Sequence, residues 1–392
     1  NEFKVDGYRF DLSKGFTQNT KCGGSNSNEG CFQQYDASRI AILKRMADQI
    51  WSHTPQAYVI LEHFAENSEE KELAEYRSGE GKGMMLWGNL NNAYAQNSMG
   101  FTSSSDISWI HYGARGWSVP HVVGYMESHD EERMMYRNIT FGASASGYNV
   151  RTLSTALERA KSAGAFFFTL PGPKMIWQFE ELGYDISIDF NGRTGNKPVH
   201  WEYKDNAQRA KLFETFASLI HIRNEYDIFQ TPDVTIQGGS NLVKQIILKN
   251  SPYNASPAST EDMNVLIIGN FDVTKKTISA NFPHSGTWYN YFALGNSFTV
   301  ASTPMSIELQ PGEFRLYTDV VLPEPIAELQ GFLPPAPPVL TSAEFEDETV
   351  SLTWTDESSL ETEYRVYRRK VGDPTFELVK TASQNATAGI DD

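Results

Sequence analysis

Apolar strand-like runs alternate with helix-like runs through the first part of the chain, and this alternation constrains the fold more than any other feature. One helix-like run follows Asp36, a good N-cap residue, and its apolar residues Ile40, Leu43 and Ala47 recur at helical spacing. Strands that alternate with helices imply a parallel sheet, and repeats of this unit imply a (β/α) barrel. The predicted strands are 5–12, 58–61, 84–87, 122–126 and 174–179, and further predicted helices lie near 153–160 and 212–220.

Strand-like runs without intervening helices follow from about residue 230, and Gly and Pro separate them, as at Pro311-Gly312. This pattern predicts that 1–229 forms the (β/α) domain and that 230–320 forms a small antiparallel β domain. The predicted strands of that domain are 242–248, 265–268, 287–291, 306–309 and 314–317.

A Pro-rich stretch predicts a stiff linker at 321–338. Beyond it, Val350, Leu352 and Trp354 alternate along one strand face, as Tyr364 and Val366 do along another. The segment 339–392 therefore resembles the opening of a fibronectin type III β-sandwich. Because such a sandwich needs about 100 residues, we expect a partial module here.

Composition excludes two classes of partner. The formal net charge is −16, and nucleic-acid binding needs clustered Lys and Arg instead. No apolar run approaches eighteen residues, which argues against insertion in a membrane. The two cysteines, Cys22 and Cys31, lie in a loop rich in Gly, Asn and Ser, and both a disulfide and free thiols fit this pattern.

An acidic and a basic side chain share one face of the first predicted strand. Side chains alternate along a strand, so Arg9 and Asp11 point the same way. The guanidinium would favour an ionised Asp11 and lower its pKa, which suits a nucleophile at the C-terminal end of a barrel strand. Lys14 adds a second cation near the strand mouth. The alternative interpretation is a buried Arg–Asp pair with a structural role only.

Two further carboxylates follow predicted strands. Glu62 ends the apolar run 58–61, and burial of a carboxyl group favours the protonated form that a general acid needs. Asp130 follows the strand 122–126 and is preceded by His129. Each alone also fits an exposed strand-end residue. No His or Cys cluster has metal-ligand spacing, and no serine lies in a nucleophile-elbow motif.

Together the three strand-end carboxylates predict a glycosidase site. Strand ends on one face of a barrel converge, and retaining glycosidases use two carboxyl groups about 5–5.5 Å apart. The segments that carry these residues resemble the motifs of glycoside hydrolase family 13, the α-amylase family. Residues 7–14 (GYRFDLSK) are similar to its barrel strand 4 motif, Glu62 falls at its strand 5 glutamate, and 128–130 (SHD) are similar to its strand 7 motif. Residues 170–183 resemble its strand 8 region.

The resemblance covers about residues 4–318 and implies a role for each carboxylate. Asp11 would be the nucleophile, Glu62 the general acid/base, and Asp130 the group that favours the oxocarbenium-like sugar. The implied substrate-side residues are Arg9, Lys14 and His129. Trp87, Tyr94, Trp109 and Trp117 are candidates for stacking on sugar rings, although such residues more often pack in a core or a loop.

The chain departs from the family pattern in two places. Lys14 is followed by Gly15 where the family often has His, which affects contacts on the aglycone side. The family's strand 3 motif, an aspartate with an Asn-His pair, does not occur in the sequence. We therefore expect the C-terminal portion, about strands 4–8, of a (β/α)8 barrel, followed by an antiparallel β domain and a partial β-sandwich. We also expect it to work as part of a longer chain.

The function that this resemblance implies is hydrolysis of α-1,4-glucosidic bonds in starch-like polysaccharides through a covalent glycosyl-enzyme. The alternatives are an α-glucosidase, a debranching enzyme or a transglycosylase of the same family, or an inactive glycan-binding member. The chemistry requires no cofactor; family members often bind structural calcium, and the sequence assigns no ligands to it. Because polysaccharides are too large to enter cells, we expect an extracellular or cell-surface bacterial location.

Overall fold

The computed structural model describes residues 5–19, 22, 29–145, 147–250, 262–293, 296–323, 338–347, 349–355, 363–372, 375–383 and 386–391. The chain divides into two compact units, 1–322 and 323–392. The predicted linker 321–338 lies largely outside the described residues. The predicted domain boundaries stay predictions.

A five-stranded parallel sheet forms the centre of the first unit, in the order β1-β2-β3-β4-β7. Sequential order and a helix-containing connection after each of the first four strands are typical of β/α units. The five strands are β1 (Gly7–Phe10), β2 (Tyr58–Leu61), β3 (Met85–Asn89), β4 (Val122–Tyr125) and β7 (Lys174–Met175), and a hairpin of β5 (Ser144–Ala145) and β6 (Tyr148–Asn149) lies between β4 and β7.

Helices connect these strands and follow the last of them. Asp36 caps the longest connecting helix by accepting hydrogen bonds from the amides of Ser38 and Arg39, as the sequence predicts. The helix that follows β7 is capped in the same way by Asn206. The helices are α1 (Glu29–Phe32), α2 (Ala37–His53), α3 (Asn67–Ala74), α4 (Asn91–Met99), α5 (Met134–Phe141), α6 (Leu153–Phe168) and α7 (Ala207–Glu225).

The second half of this unit is antiparallel. Six strands pair in the order β13-β12-β15-β10-β9-β8, and β11 pairs with β14. Trp288 is completely buried in a hydrophobic cluster to which strands of both sheets contribute. The strands are β8 (Val234–Gln237), β9 (Val243–Leu248), β10 (Val265–Asn270), β11 (Lys276–Ala280), β12 (Gly286–Asn290), β13 (Asn296–Val300), β14 (Met305–Leu309) and β15 (Phe314–Thr318).

Helix α6 attaches the parallel part to the antiparallel part. The Phe166 and Phe271 rings lie 5.3 Å apart, edge to face. The fully buried Arg159 donates from Nε to the carbonyl of Ser98 at 2.8 Å, and its other nitrogens donate to the carbonyls of Phe271 and Asp272. One hydrophobic core thus crosses the predicted boundary near residue 229.

The second unit consists of short antiparallel strands. One sheet has the order β16-β17-β20 and the other pairs β18 with β19. Trp354 on β17 packs against Tyr364 on β18, with 5.3 Å between the ring centroids. The two strand faces on which the sequence places these residues therefore contact each other. The strands are β16 (Val339–Glu346), β17 (Thr349–Thr355), β18 (Glu363–Arg368), β19 (Glu377–Ser383) and β20 (Ala388–Asp391).

Two predicted strands are shorter in the structure than in the sequence-based assignment. The predicted strand 174–179 is a strand only at Lys174–Met175, because the chain turns to reach Phe179, which has a left-handed backbone (φ 68°). The predicted strand 5–12 ends at Phe10, and Leu12 is left-handed as well (φ 41°). In the part of the chain that the structure describes, no helix is both long and apolar enough to span a membrane.

Candidate active site

The strands β1 and β2 place two of the candidate carboxylates side by side. They pair in parallel with Phe10 opposite Leu61. Asp11 and Glu62 are the next residues along the two segments, so both emerge at the C-terminal edge of the sheet. This is the edge at which barrel enzymes build their active sites.

Arg9 joins the two carboxylates. Its Nη1 donates a hydrogen bond to Asp11 Oδ1 at 2.6 Å, and its Nη2 lies 2.7 Å from Glu62 Oε2 in an ion pair that lacks hydrogen-bond alignment. The guanidinium also lies over the Trp87 ring, 4.1 Å from its centroid, a cation–π contact that fixes its plane. The predicted pairing of Arg9 with Asp11 is present, and the link to Glu62 is additional.

The electrostatics favour an ionised Asp11. The hydrogen bond from Arg9, followed by one with the Glu62 carboxyl group and by the charge of Arg9, holds the pKa of Asp11 below its ordinary value. The Asp11 side chain remains 75% exposed. An exposed carboxylate that stays charged has the properties of a nucleophile or of a ligand for a cation.

Glu62 is held much more tightly than Asp11. It is 7% exposed, and its Oε2 accepts a hydrogen bond from the Leu12 amide at 2.8 Å in addition to the contact with Arg9. Both partners of Oε2 are donors, so this oxygen is the acceptor in both contacts.

Asp130 lies in the turn between β4 and α5. Its Oδ2 is 3.4 Å from Nε2 of His129, its amide donates to Ser128 Oγ at 3.1 Å, and its carbonyl accepts a hydrogen bond from Arg193. The His129 ring lies between two indoles, 6.0 Å from Trp87 and 5.8 Å from Trp177. Trp87 therefore contacts both Arg9 and His129, which links the β1 and β4 ends of the site.

The other residues singled out in the sequence occupy different environments. Lys14 is 8% exposed, in the turn after β1, and its carbonyl accepts a hydrogen bond from Arg39. Tyr94 and Trp117 are buried in the cores, whereas Trp109 is 46% exposed. Among the four aromatic candidates, Trp87 is the one with a contact to a candidate site residue described above.

Two features of the site have no counterpart in the sequence-based predictions. A buried chain of Ser13, His63, Glu69 and Arg39 lies behind Asp11 and Glu62. Beside Asp130, Glu127 and Glu180 are buried together, and burial raises the pKa of Glu127 to about 7. His63 follows Glu62 directly in the sequence, which was the available signal for the first feature. The second becomes visible only when β4 and β7 pair.

Two further questions that the sequence raises concern a disulfide and a metal site. Cys22 and Cys31 form a disulfide, with their Cα atoms 5.5 Å apart, so the structure selects one of the two alternatives that the sequence allows. Among the described residues, no three His, Cys, Asp or Glu side chains are grouped to hold a metal ion.

Comparisons with known proteins identify solved structures of similar fold. No protein-family model matches the chain, and no curated protein sequence matches it. The pullulanase from Bacillus acidopullulyticus aligns with a TM-score of 0.53 and 17% identity over 81% of this chain and 38% of its own. The α-amylase from H. orenii aligns with a TM-score of 0.52 and 17% identity over 81% of this chain and 61% of its own.

A third similar structure is the pullulanase from Anoxybacillus sp. LM18-11 complexed with maltotetraose, with a TM-score of 0.52 and 15% identity over 81% of this chain and 44% of its own. The chain thus spans between 38% and 61% of the length of these three proteins. At such low identity the alignments establish fold alone. The chain shares the fold of pullulanases and α-amylases over most of its length.

Proposed function

We propose that this chain carries the catalytic carboxylates of a retaining α-glucan hydrolase of the α-amylase type. The observation that carries the proposal is the bridge that Arg9 makes between Asp11 and Glu62 at the ends of adjacent parallel strands. Two carboxyl groups held together at the C-terminal edge of such a sheet fit the two-carboxylate chemistry of retaining glycosidases. The shared fold with pullulanases and α-amylases supports the substrate class.

In this mechanism Asp11 and Glu62 divide the chemistry. The Asp11 carboxylate attacks the anomeric carbon while the glycosidic C–O bond breaks, and the Glu62 carboxyl group gives its proton to the leaving oxygen. Glu62 then takes a proton from water, which attacks the same carbon and releases Asp11. The lowered pKa of Asp11 and its exposure suit the first role, and the burial of Glu62 next to Asp11, with Arg9 between them, suits the second.

Asp130 and His129 would act on the sugar itself. Asp130 is exposed beside His129, and a carboxylate there would favour the positive charge that develops on the ring. His129, set between Trp87 and Trp177, would donate to sugar hydroxyls. Lys14, which is buried in the turn after β1, would complete the substrate-side set.

We further propose that the five parallel strands correspond to strands 4–8 of a (β/α)8 barrel and that 339–392 forms part of a fibronectin type III-like module. Activity would then require the preceding strands in a longer chain. The correspondence to part of a barrel is supported by the fraction of the similar structures that this chain spans, 38% and 61% of their lengths. The disulfide supports an oxidising, extracellular or cell-surface location.

The test is release of reducing sugar from soluble starch. We would assay the 392-residue chain and a chain extended upstream to complete the barrel, each beside its Asp11→Asn variant. We expect the extended chain to hydrolyse starch and Asp11→Asn to lower kcat by roughly 10³-fold or more, since it removes the nucleophile. NMR of the first product would show the α anomer if configuration is retained.

Each outcome separates the alternatives. Activity of the 392-residue chain alone would support the hydrolase and disprove the need for upstream strands. Maltooligosaccharide binding without hydrolysis by either chain would indicate a glycan-binding protein. Product analysis distinguishes an endo-acting amylase from an α-glucosidase, a debranching enzyme or a transglycosylase.

A further inference from the structure

Four buried polar side chains form a continuous chain behind Asp11 and Glu62. Ser13 Oγ lies 2.9 Å from His63 Nδ1, and His63 Nε2 lies 2.8 Å from Glu69 Oε1. Arg39 donates to both oxygens of Glu69, at 2.6 and 2.7 Å. The exposed fraction of each of these four residues is 0%, and burying so many polar groups is costly unless the arrangement is fully paired.

One end of this chain joins the turns that follow the two candidate catalytic residues. Ser13 comes two residues after Asp11, and His63 comes directly after Glu62. The Ser13 amide donates to the Glu62 carbonyl at 2.8 Å, and the Ser13 hydroxyl lies 3.0 Å from the same oxygen. The main chain of Glu62 is therefore fixed to the main chain of the turn that carries Asp11.

The other end is anchored on two helices. Arg39 on α2 also donates to the Lys14 carbonyl at 2.8 Å. Glu69 on α3 accepts a hydrogen bond from the Asp36 amide at 2.8 Å. Helices give a more rigid support than loops do, so the chain transmits the position of α2 and α3 to Glu62.

Proton counting shows how the hydroxyl of Ser13 is used. Burial lowers the pKa of His63. Burial raises the pKa of Glu69, but the hydrogen bonds from His63 and Arg39 outweigh it and lower that pKa overall. A neutral His63 therefore donates from Nε2 to an ionised Glu69 and presents Nδ1 as an acceptor. The single proton of Ser13 Oγ then lies between two acceptors, His63 Nδ1 and the Glu62 carbonyl.

We propose that Ser13 and His63 are positioning residues that align the Glu62 carboxyl group for proton transfer next to Asp11. The inference rests on the proposed function. Displacing the general acid by about 1 Å lowers the reaction rate on the order of 100-fold. A buried hydrogen bond with a structural role only would leave the rate unchanged and alter the stability of the protein alone. A positioning role and a structural role are therefore distinguished by whether a variant slows the step in which Glu62 donates a proton to the leaving group.

The test compares two serine-to-alanine variants in the hydrolytically active chain. Ser162→Ala is the matched control, because Ser162 is 1% exposed and donates to the Gly312 carbonyl in the contact between α6 and the antiparallel part. The substrates are maltoheptaose, whose leaving group needs a proton, and 2,4-dinitrophenyl α-maltotrioside, whose acidic leaving group needs none. The value compared is kcat/KM, which reports the first bond cleavage.

We expect Ser13→Ala to lower kcat/KM on maltoheptaose by about 10- to 100-fold and on the aryl substrate by less than about 3-fold. Ser162→Ala changes either value by less than about 2-fold although it lowers Tm similarly. His63→Gln, whose amide donates to Glu69 and whose oxygen accepts from Ser13, retains at least about 10 times the maltoheptaose activity of His63→Ala.

Equal losses on both substrates with Ser13→Ala, or the same loss with Ser162→Ala, would overturn the positioning role while leaving the proposed function intact. A wild-type chain that hydrolyses neither substrate would overturn the proposed function and this inference with it. Should His63→Ala fail to fold, the Ser13→Ala comparison and the activity of His63→Gln relative to the wild type decide the question.

Discussion

Asp11 and Glu62 share one guanidinium: Arg9 Nη1 lies 2.6 Å from Asp11 Oδ1 and Arg9 Nη2 lies 2.7 Å from Glu62 Oε2. The planar guanidinium presents two nitrogens at a fixed separation, which an ammonium group does not. Arg9 therefore lowers the pKa of Asp11 and at the same time bridges the two carboxyl groups.

Replacing Arg9 by Lys should move the acidic limb of the pH–activity profile. Arg9 is the first cause of the lowered pKa of Asp11, so weakening that contact raises the pKa, and a nucleophile that must be ionised then loses activity at a higher pH. We expect kcat/KM to fall about 10- to 100-fold at neutral pH and its acidic limb to shift upward. Arg137→Lys on α5, whose partners are Asn91 and Asn92, is the control; an unshifted limb in Arg9→Lys would contradict the assignment of Asp11.

Replacing Glu127 by Gln should stabilise the protein at alkaline pH. Burial raises the pKa of Glu127 from 4.5 to about 7, so between these values the folded protein holds a proton that the unfolded chain has lost. The free energy of unfolding then falls as pH rises through this window. Glutamine keeps the acceptor for the Met134 amide, 2.7 Å from Oε1, and does not ionise. We expect a gain on the order of 2–3 kcal/mol at about pH 8 and almost none at about pH 4.

Urea unfolding at several pH values measures this gain. Glu158→Gln, on an exposed position of α6, controls for the loss of one negative charge. Parallel stability curves for the wild type and Glu127→Gln would show that Glu127 does not take up a proton on folding.

The parallel sheet and the candidate carboxylates were predictable from local patterns. Strand β2 was predicted with its observed bounds, and Asp36 caps α2 as its residue type indicates. Such features depend on periodicity and capping, which are local properties of the chain. Placing Asp11 and Glu62 side by side needed one further rule, that parallel strands end at the same edge of the sheet.

The features that the sequence did not reveal depend on contacts between distant segments. Arg39 and Glu69 are 30 residues apart, and nothing local to either marks them as partners. Helix α3 carries charged residues at buried positions, so its hydrophobic pattern is weak and it was not predicted. Strand β7 was predicted too long because the residues 176–179, three of which are apolar, lie in a loop rather than in the sheet.

Breaking the ion pair between Arg115 and Glu70 should be strongly destabilising. The two residues are 6% and 4% exposed, and Nη1 lies 3.0 Å from Oε2. Arg115→Met leaves the Glu70 charge buried without its counter-ion, which costs about 3–5 kcal/mol. Burial raises the pKa of Glu70 to about 7 even with Arg115 present, so the loss should be larger at about pH 8 than at about pH 5, where Glu70 accepts a proton.

A double-mutant cycle measures this interaction. Adding Glu70→Gln to Arg115→Met should recover more than about half of the lost free energy of unfolding, because it removes the buried charge. If Arg115→Met and the double variant lost the same free energy of unfolding, the ion pair with Glu70 would not be the source of the stability. Arg115 would then stabilise the fold through its stacking on Trp109 and Trp117, whose ring centroids are each 5.1 Å away.

Helices α6 and α7 approach so closely at Gly164 that alanine should not fit. A Cβ built on Gly164 would lie 2.4 Å from Cε1 of Phe216, a buried side chain of α7. We expect Gly164→Ala to lower the free energy of unfolding by about 1–3 kcal/mol, because the gain in helix propensity, about 1 kcal/mol, is smaller than the cost of moving two packed helices. Gly79→Ala, where no atom lies within 4 Å of the added Cβ, should change stability by less than about 1 kcal/mol.

Thermal unfolding of the two glycine variants, together with a double variant that combines Gly164→Ala with Phe216→Leu, completes this test. A leucine side chain is smaller than the phenylalanine ring and makes room for the new Cβ, so the double variant should be less destabilised than the sum of its two single changes. A Gly164→Ala protein as stable as the wild type would show that α6 and α7 have room to separate. The shared core of the parallel and antiparallel parts, to which Phe166 of α6 contributes, would then tolerate displacement of that helix.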